Sequence, residues 1–143
     1  MKYKTIEDLE WDVINEAIAL KQHATKEELD RLDFITVNAY SIVSCIYGQM
    51  TGSCHSDRAI ELINKCAVSF IATSFPLGLG DVQGINDFCN NIIPNSDEAK
   101  AHNINGRTRY FSPIEVYIVL ANSNKKALID FLQGKTKSLN LEK

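Results

Sequence analysis

The chain is expected to be all-α, a compact single domain of about five to six helices arranged around a long central second helix. Three observations predict this class: apolar residues recur at three- and four-residue steps, helix-starting side chains stand ahead of those stripes, and Gly or Pro stands where they stop. The length of 143 residues favours one core over two and can bury enough surface without disulfides or a structural metal. The domain is taken as 1–134 and the remainder, 135–143, as a flexible tail with too few apolar residues to pack.

The first helix is placed at about 6–22, with Thr5 and Asp8 at its start and Ile6, Leu9, Val13, Ala17 and Leu20 along one face. Its outer face is assigned Glu7, Asp8, Glu10, Asp12 and Glu16. Thr25 and Glu28 form a capping-box pattern, and Leu29, Leu32, Ile35, Ala39, Ile42 and Ile46 continue behind it, predicting a long helix over 26–47 stopped by Gly48 and Gly52. Its other positions are also apolar, so it is expected to lie centrally or against another copy of the chain. Ser56 is read as the N-cap of a third helix running to Thr73, and Asp81 as the cap of a shorter one that closes before Pro94. Asn95 to Gly106 is polar and turn-rich, an exposed connection. The β-branched run 114–121 is assigned to a helix because Ser112, Pro113 and Glu115 supply an N-cap, Pro at the first helical position and Glu at the third. A last helix is started at Ser123 and ended by Gly134.

The charge of −3 and pI near 5.6 argue against broad attraction to duplex nucleic acid or acidic membranes. The first ten residues alternate charges without an apolar run, so they are not a secretory signal, and no apolar stretch approaches the roughly 18 residues of a membrane span. A soluble cytoplasmic protein is expected, with Cys45, Cys54, Cys66 and Cys89 as free thiols.

Two places stand out chemically. The stretch from Tyr47 to Arg58 holds two glycines, many hydrogen-bonding side chains and an Arg ahead of a helix start, where free N–H groups and the dipole favour an anion. It is no phosphate-binding Walker loop, because it follows a helix and carries Ser53 where Lys is required. Arg107, Arg109 and Tyr110 precede another helix start, in a region from Lys100 to Lys137 with seven basic residues against two acidic ones, locally +5. Basic groups beside aromatic rings can hold a phosphate and stack on a base. The candidate ligand residues are therefore Tyr47, Gln49, Thr51, Ser53, His55, Arg58, Arg107, Arg109 and Tyr110. The structural alternative is that the loop caps its own backbone and the Arg residues answer acidic side chains.

No metal-ligand spacing exists, with His23, His55 and His102 far apart, and neither a metal nor a cofactor is expected. Glu7-x-x-Glu10 with Glu27-x-x-Asp30 resembles the paired acidic motif of the MazG-type all-α nucleotide pyrophosphatases, in which four carboxylates hold magnesium. Helical rise sets the two pairs about 20 Å apart here, so they are assigned to helix first turns. Three functional readings follow. The leading one is a non-enzymatic binder of an anionic small molecule, such as a nucleotide, at paired helix N-termini. The second is a protein-interaction or inhibitor module using the acidic first helix, as in accessory proteins of phages and other mobile elements, which the Asn, Ile and Lys richness suits. The third is an enzyme using Cys54 at a helix start, where a thiol favours its thiolate form.

Overall fold

Helix α1 spans Ile6–His23, the first helix its apolar spacing predicts, and Leu9, Val13, Ala17 and Leu20 are fully buried along it. The computed structural model describes residues 6–39, 41–67, 69–74, 92–94, 108–120 and 124–139. The remaining helices described are α2 (Lys26–Asp30), α3 (Ile46–Thr51), α4 (Asp57–Cys66), α5 (Pro113–Leu120) and α6 (Lys125–Leu132). The chain is thus mainly helical, with six helices among the described residues, as the apolar periodicity predicts. Three short strands accompany them: β1 (Ser69–Ser74), β2 (Ile92–Pro94) and β3 (Thr108–Phe111). They form an antiparallel sheet in the order β2-β1-β3, with Phe70 opposite Ile93 and Ala72 opposite Tyr110.

The long helix expected over 26–47 does not form. Its start is right, since Thr25 and Glu28 make the reciprocal capping box, but α2 ends after five residues. Asp33 then accepts from the Ile35 N–H at 2.9 Å and the Thr36 hydroxyl at 3.1 Å, while the Asn38 N–H donates to Ser44 O at 3.0 Å. Short polar side chains here offer the backbone turns in place of the helical ladder. The apolar stripe divides accordingly: Leu29, Leu32, Ala39 and Ile46 are buried, whereas Ile35 is 74% and Ile42 42% exposed.

Gly48 does not end a helix either; it lies inside α3, where a Cβ would come within 2.4 Å of Ile42 O. Gly52 is the true stop, with φ of 98°. Ser56 caps α4 as expected, its hydroxyl accepting from the Ala59 N–H at 3.1 Å. That helix closes at Cys66, and residues assigned to its second half form β1 instead. The β-branched and aromatic residues Phe70, Ile71 and Thr73 suit a strand, and their pairing partners lie more than twenty positions away, beyond any local periodicity.

The central position belongs to α5, whose residues Pro113 to Ile118 are all buried. A helix apolar all round must be covered all round. Leu9, Val13, Leu20, Ile46, Met50, Leu62, Ile114, Tyr117 and Leu128 share one core with it. Gln133 donates to Leu29 O at 3.1 Å and Leu32 O at 2.7 Å, and Arg31 to Met50 O at 2.7 Å, so side chains from elsewhere close the ends of α2 and α3. Asn124 occupies the N-cap position of α6, one residue beyond the start expected at Ser123, which lies outside the described residues. So do residues 82–91 of the helix placed after Asp81 and the connection 95–106; the end of that expected helix, Ile92 and Ile93, is strand β2 instead, paired with β1. Within the tail, residues 135–138 are exposed and Leu139 packs against the core.

Candidate functional site

The loop expected to hold an anion directs its polar groups back into the protein. The Gln49 side chain pairs with Asp33, accepting from its N–H at 2.9 Å and donating to its carbonyl at 3.2 Å. The Thr51 hydroxyl contacts Tyr47 O and Ser53 O at 2.7 and 2.9 Å, and Ser53 Oγ accepts from the exposed His55 through its N–H. Arg58 gives Nε and Nη2 to the two Glu28 oxygens at 2.9 and 2.8 Å, Nη1 to Glu61 at 2.6 Å, and Nη2 also to His23 O at 3.0 Å. The anion facing Arg58 is therefore Glu28, whose carboxyl that guanidinium holds down at about 2. Arg107 lies outside the described residues. Arg109 and Tyr110 are described as backbone in β3, where Arg109 stands opposite Thr73, and their side chains lie outside the description.

The second helix start expected to hold an anion likewise receives a carboxyl group from the chain itself. Glu16, assigned to the outer face of α1, is fully buried. Its Oε1 accepts from the Ile114 N–H at 2.9 Å in the first turn of α5, and its Oε2 accepts from the Tyr47 hydroxyl at 2.5 Å. Glu115 of α5 accepts in turn from the Ile46 N–H of α3 at 3.0 Å. The contacts close a ring: α1 caps α5, α5 caps α3, and α3 returns to α1 through Tyr47. Each carboxyl satisfies an N–H that a helix start leaves open, in a core where an unmet donor is costly.

Burial pushes the Glu16 carboxyl up to about 7, against the opposing pull of Tyr47 and Ile114. Burial likewise holds Glu115 well above the usual carboxylate range, reinforced by Cys45 and Glu16, and its Oε2 is buried without a hydrogen-bond partner. Tyr47 is raised by burial and by Glu16. Cys45 is the N-cap of α3, its Sγ accepting from the Gly48 N–H at 3.3 Å, and neighbouring Cys54 together with burial pushes its thiol well above the usual range. Among the described residues no group of three or more His, Cys, Asp or Glu can hold a metal ion.

Sequence reasoning missed Glu16 and Glu115 as members of a buried network. The signal for Glu16 was present, because Leu9, Val13, Glu16 and Leu20 follow a four-three-four spacing that puts the carboxyl on the buried stripe. For Glu115 no local signal existed: its residue type at the third helical position points to its own cap, not to α3.

The outer face of α1 differs in kind. Asp8, Trp11, Asn15 and Ile18 lie on one exposed strip, with Trp11 69% and Ile18 43% accessible, and the half-buried Asp12 lies beside it. No helix among the described residues is long and apolar enough to cross a membrane. No family model, curated protein or solved structure matches this chain.

Proposed function

We propose that the chain is a cytoplasmic protein-interaction module, not an enzyme, and that it presents the outer face of α1 to a partner with an apolar groove edged by Lys or Arg. The observation that carries this reading is Trp11, an indole 69% open to water on a helix whose opposite face is fully packed. Exposed aromatic rings within a polar rim are the anchors that dominate protein interfaces. Ile18 lies two turns further along the same strip, matching the spacing by which a helix seats itself in a groove. Asp8 and Asp12 favour a basic rim on the partner and exclude an acidic one.

This face is narrower than the acidic surface read from the sequence, because Glu16 points inward and takes no part in it. Small-anion binding at the loop is the competing reading, and it requires a ligand to displace Glu28 from Arg58.

A photo-crosslinking residue placed at position 11 or 18, with position 137 as control, tests the proposal in cells. One protein joined at 11 and 18 but not at 137, with affinity falling about 30-fold in Trp11→Ala and weakening with salt, supports it. Only self-adducts would make this the contact between two copies, and no adduct at 11 would overturn the proposal. A melting shift with nucleotides that is lost in Arg58→Ala would favour the anion reading instead.

A further inference from the structure

Cys45 and Cys54 flank α3, and the backbone holds them together. The Cys45 N–H donates to Ser41 O at 2.9 Å and the Cys54 N–H to the next carbonyl, Ile42 O, at 2.7 Å. Gly48 packs against the same carbonyl from within α3, so the segment between the two cysteines folds tightly over residues 41–43. Neither is in a disulfide, Cys45 is buried and Cys54 partly open to solvent, and Cys54 is the neighbour that most affects the Cys45 thiol. Cys66 is also free and buried, in α4.

We propose that Cys45 and Cys54 are a peroxide-sensitive pair that closes into an intramolecular disulfide around α3. The Cys54 sulfur attacks hydrogen peroxide, the O–O bond breaks, and a sulfenic acid and one water result. The Cys45 sulfur then attacks the Cys54 sulfur; the S–S bond forms, the S–O bond breaks, and the hydroxyl leaves with the Cys45 proton as a second water. Two thiols lose two electrons and two hydrogens, and the peroxide is reduced to water. The roles follow exposure: Cys54, partly open to solvent, meets the oxidant, and the buried Cys45 meets only the sulfenic acid that Cys54 becomes, giving up its proton to the leaving hydroxyl as it attacks.

The test is peptide mapping of the purified full chain after a peroxide titration. The expected product is a Cys45–Cys54 linked peptide, about 2 Da lighter than the dithiol and restored by dithiothreitol. Cys45→Ser, which keeps a capping oxygen, should stop at a dimedone-reactive Cys54, and Cys54→Ser should leave Cys45 unmodified. Linkage to Cys66 or Cys89, linkage between two chains, or passage of wild-type Cys54 to sulfinic acid without linkage would overturn the proposal.

Discussion

The Tyr47 hydroxyl donates to Glu16 across 2.5 Å in the interior, joining α3 to α1 where Glu16 also receives the first free N–H of α5. Removing that donor leaves a buried carboxyl oxygen unmet while the ring still fills its space. Tyr47→Phe should therefore lower stability by about 1–3 kcal/mol, read from the denaturant midpoint with an unchanged slope. It should also push the Glu16 carboxyl higher, since the phenol is the largest influence holding it down.

The same carboxyl sets a pH dependence. Glu16 titrates near 7 in the folded chain and near 4.5 when exposed, so folding favours its protonated form. Its contribution is complete below pH 4.5 and is lost as pH rises through 7, on the order of 3 kcal/mol in all. Glu115, also raised, acts in the same direction. Glu28 acts oppositely: held at about 2, it stabilises the fold above pH 4.5 and that contribution is lost as pH falls through 2. Urea unfolding across pH 4–8 should show stability declining toward pH 8, and Glu16→Gln should flatten the slope. A wild-type profile rising steadily to pH 8 would contradict the assignment.

Arg58 joins the start of α4 to α2 through Glu28, which also closes the capping box with Thr25. Arg58→Ala should cost about 1–2 kcal/mol, limited by solvent screening of the half-exposed guanidinium. Arg58→Lys should recover only part, because one ammonium cannot occupy both carboxylate oxygens. Thermal unfolding of the two variants at pH 7 checks the order; equal melting of wild type and Arg58→Ala would show the pair to be neutral.

The helical class, the first helix, the Thr25 and Ser56 caps and the Ser112-Pro113 start were legible because each depends on residues within a few positions of one another. The break after Asp30 was not, because Ile35 and Ile42 keep helical spacing while the Asp33 and Ser41 side chains take backbone N–H groups two residues on. Strand β1 was hidden because its hydrogen bonds go to 92–94 and 108–111. The loop residues were correctly seen as rich in hydrogen-bonding groups. Their partners, Asp33 for Gln49 and Glu28 for Arg58, are set by tertiary packing that spacing cannot reveal.

Two glycines separated by one helical turn should respond to substitution in different ways. At Gly48 a methyl would sit 2.4 Å from Ile42 O and 2.8 Å from Val43 C, both backbone atoms that cannot swing aside. Gly48→Ala must push α3 away from the 41–43 turn, disturbing Cys45 and the Ile46 contact with Glu115, and should cost more than about 3 kcal/mol. At Gly52 space is open and only the left-handed φ of 98° opposes a side chain, so Gly52→Ala should cost about 1–2 kcal/mol. Comparable denaturant midpoints for the two variants would mean that the close approach at Gly48 is readily relieved, and that the 41–43 turn does not fix the position of α3.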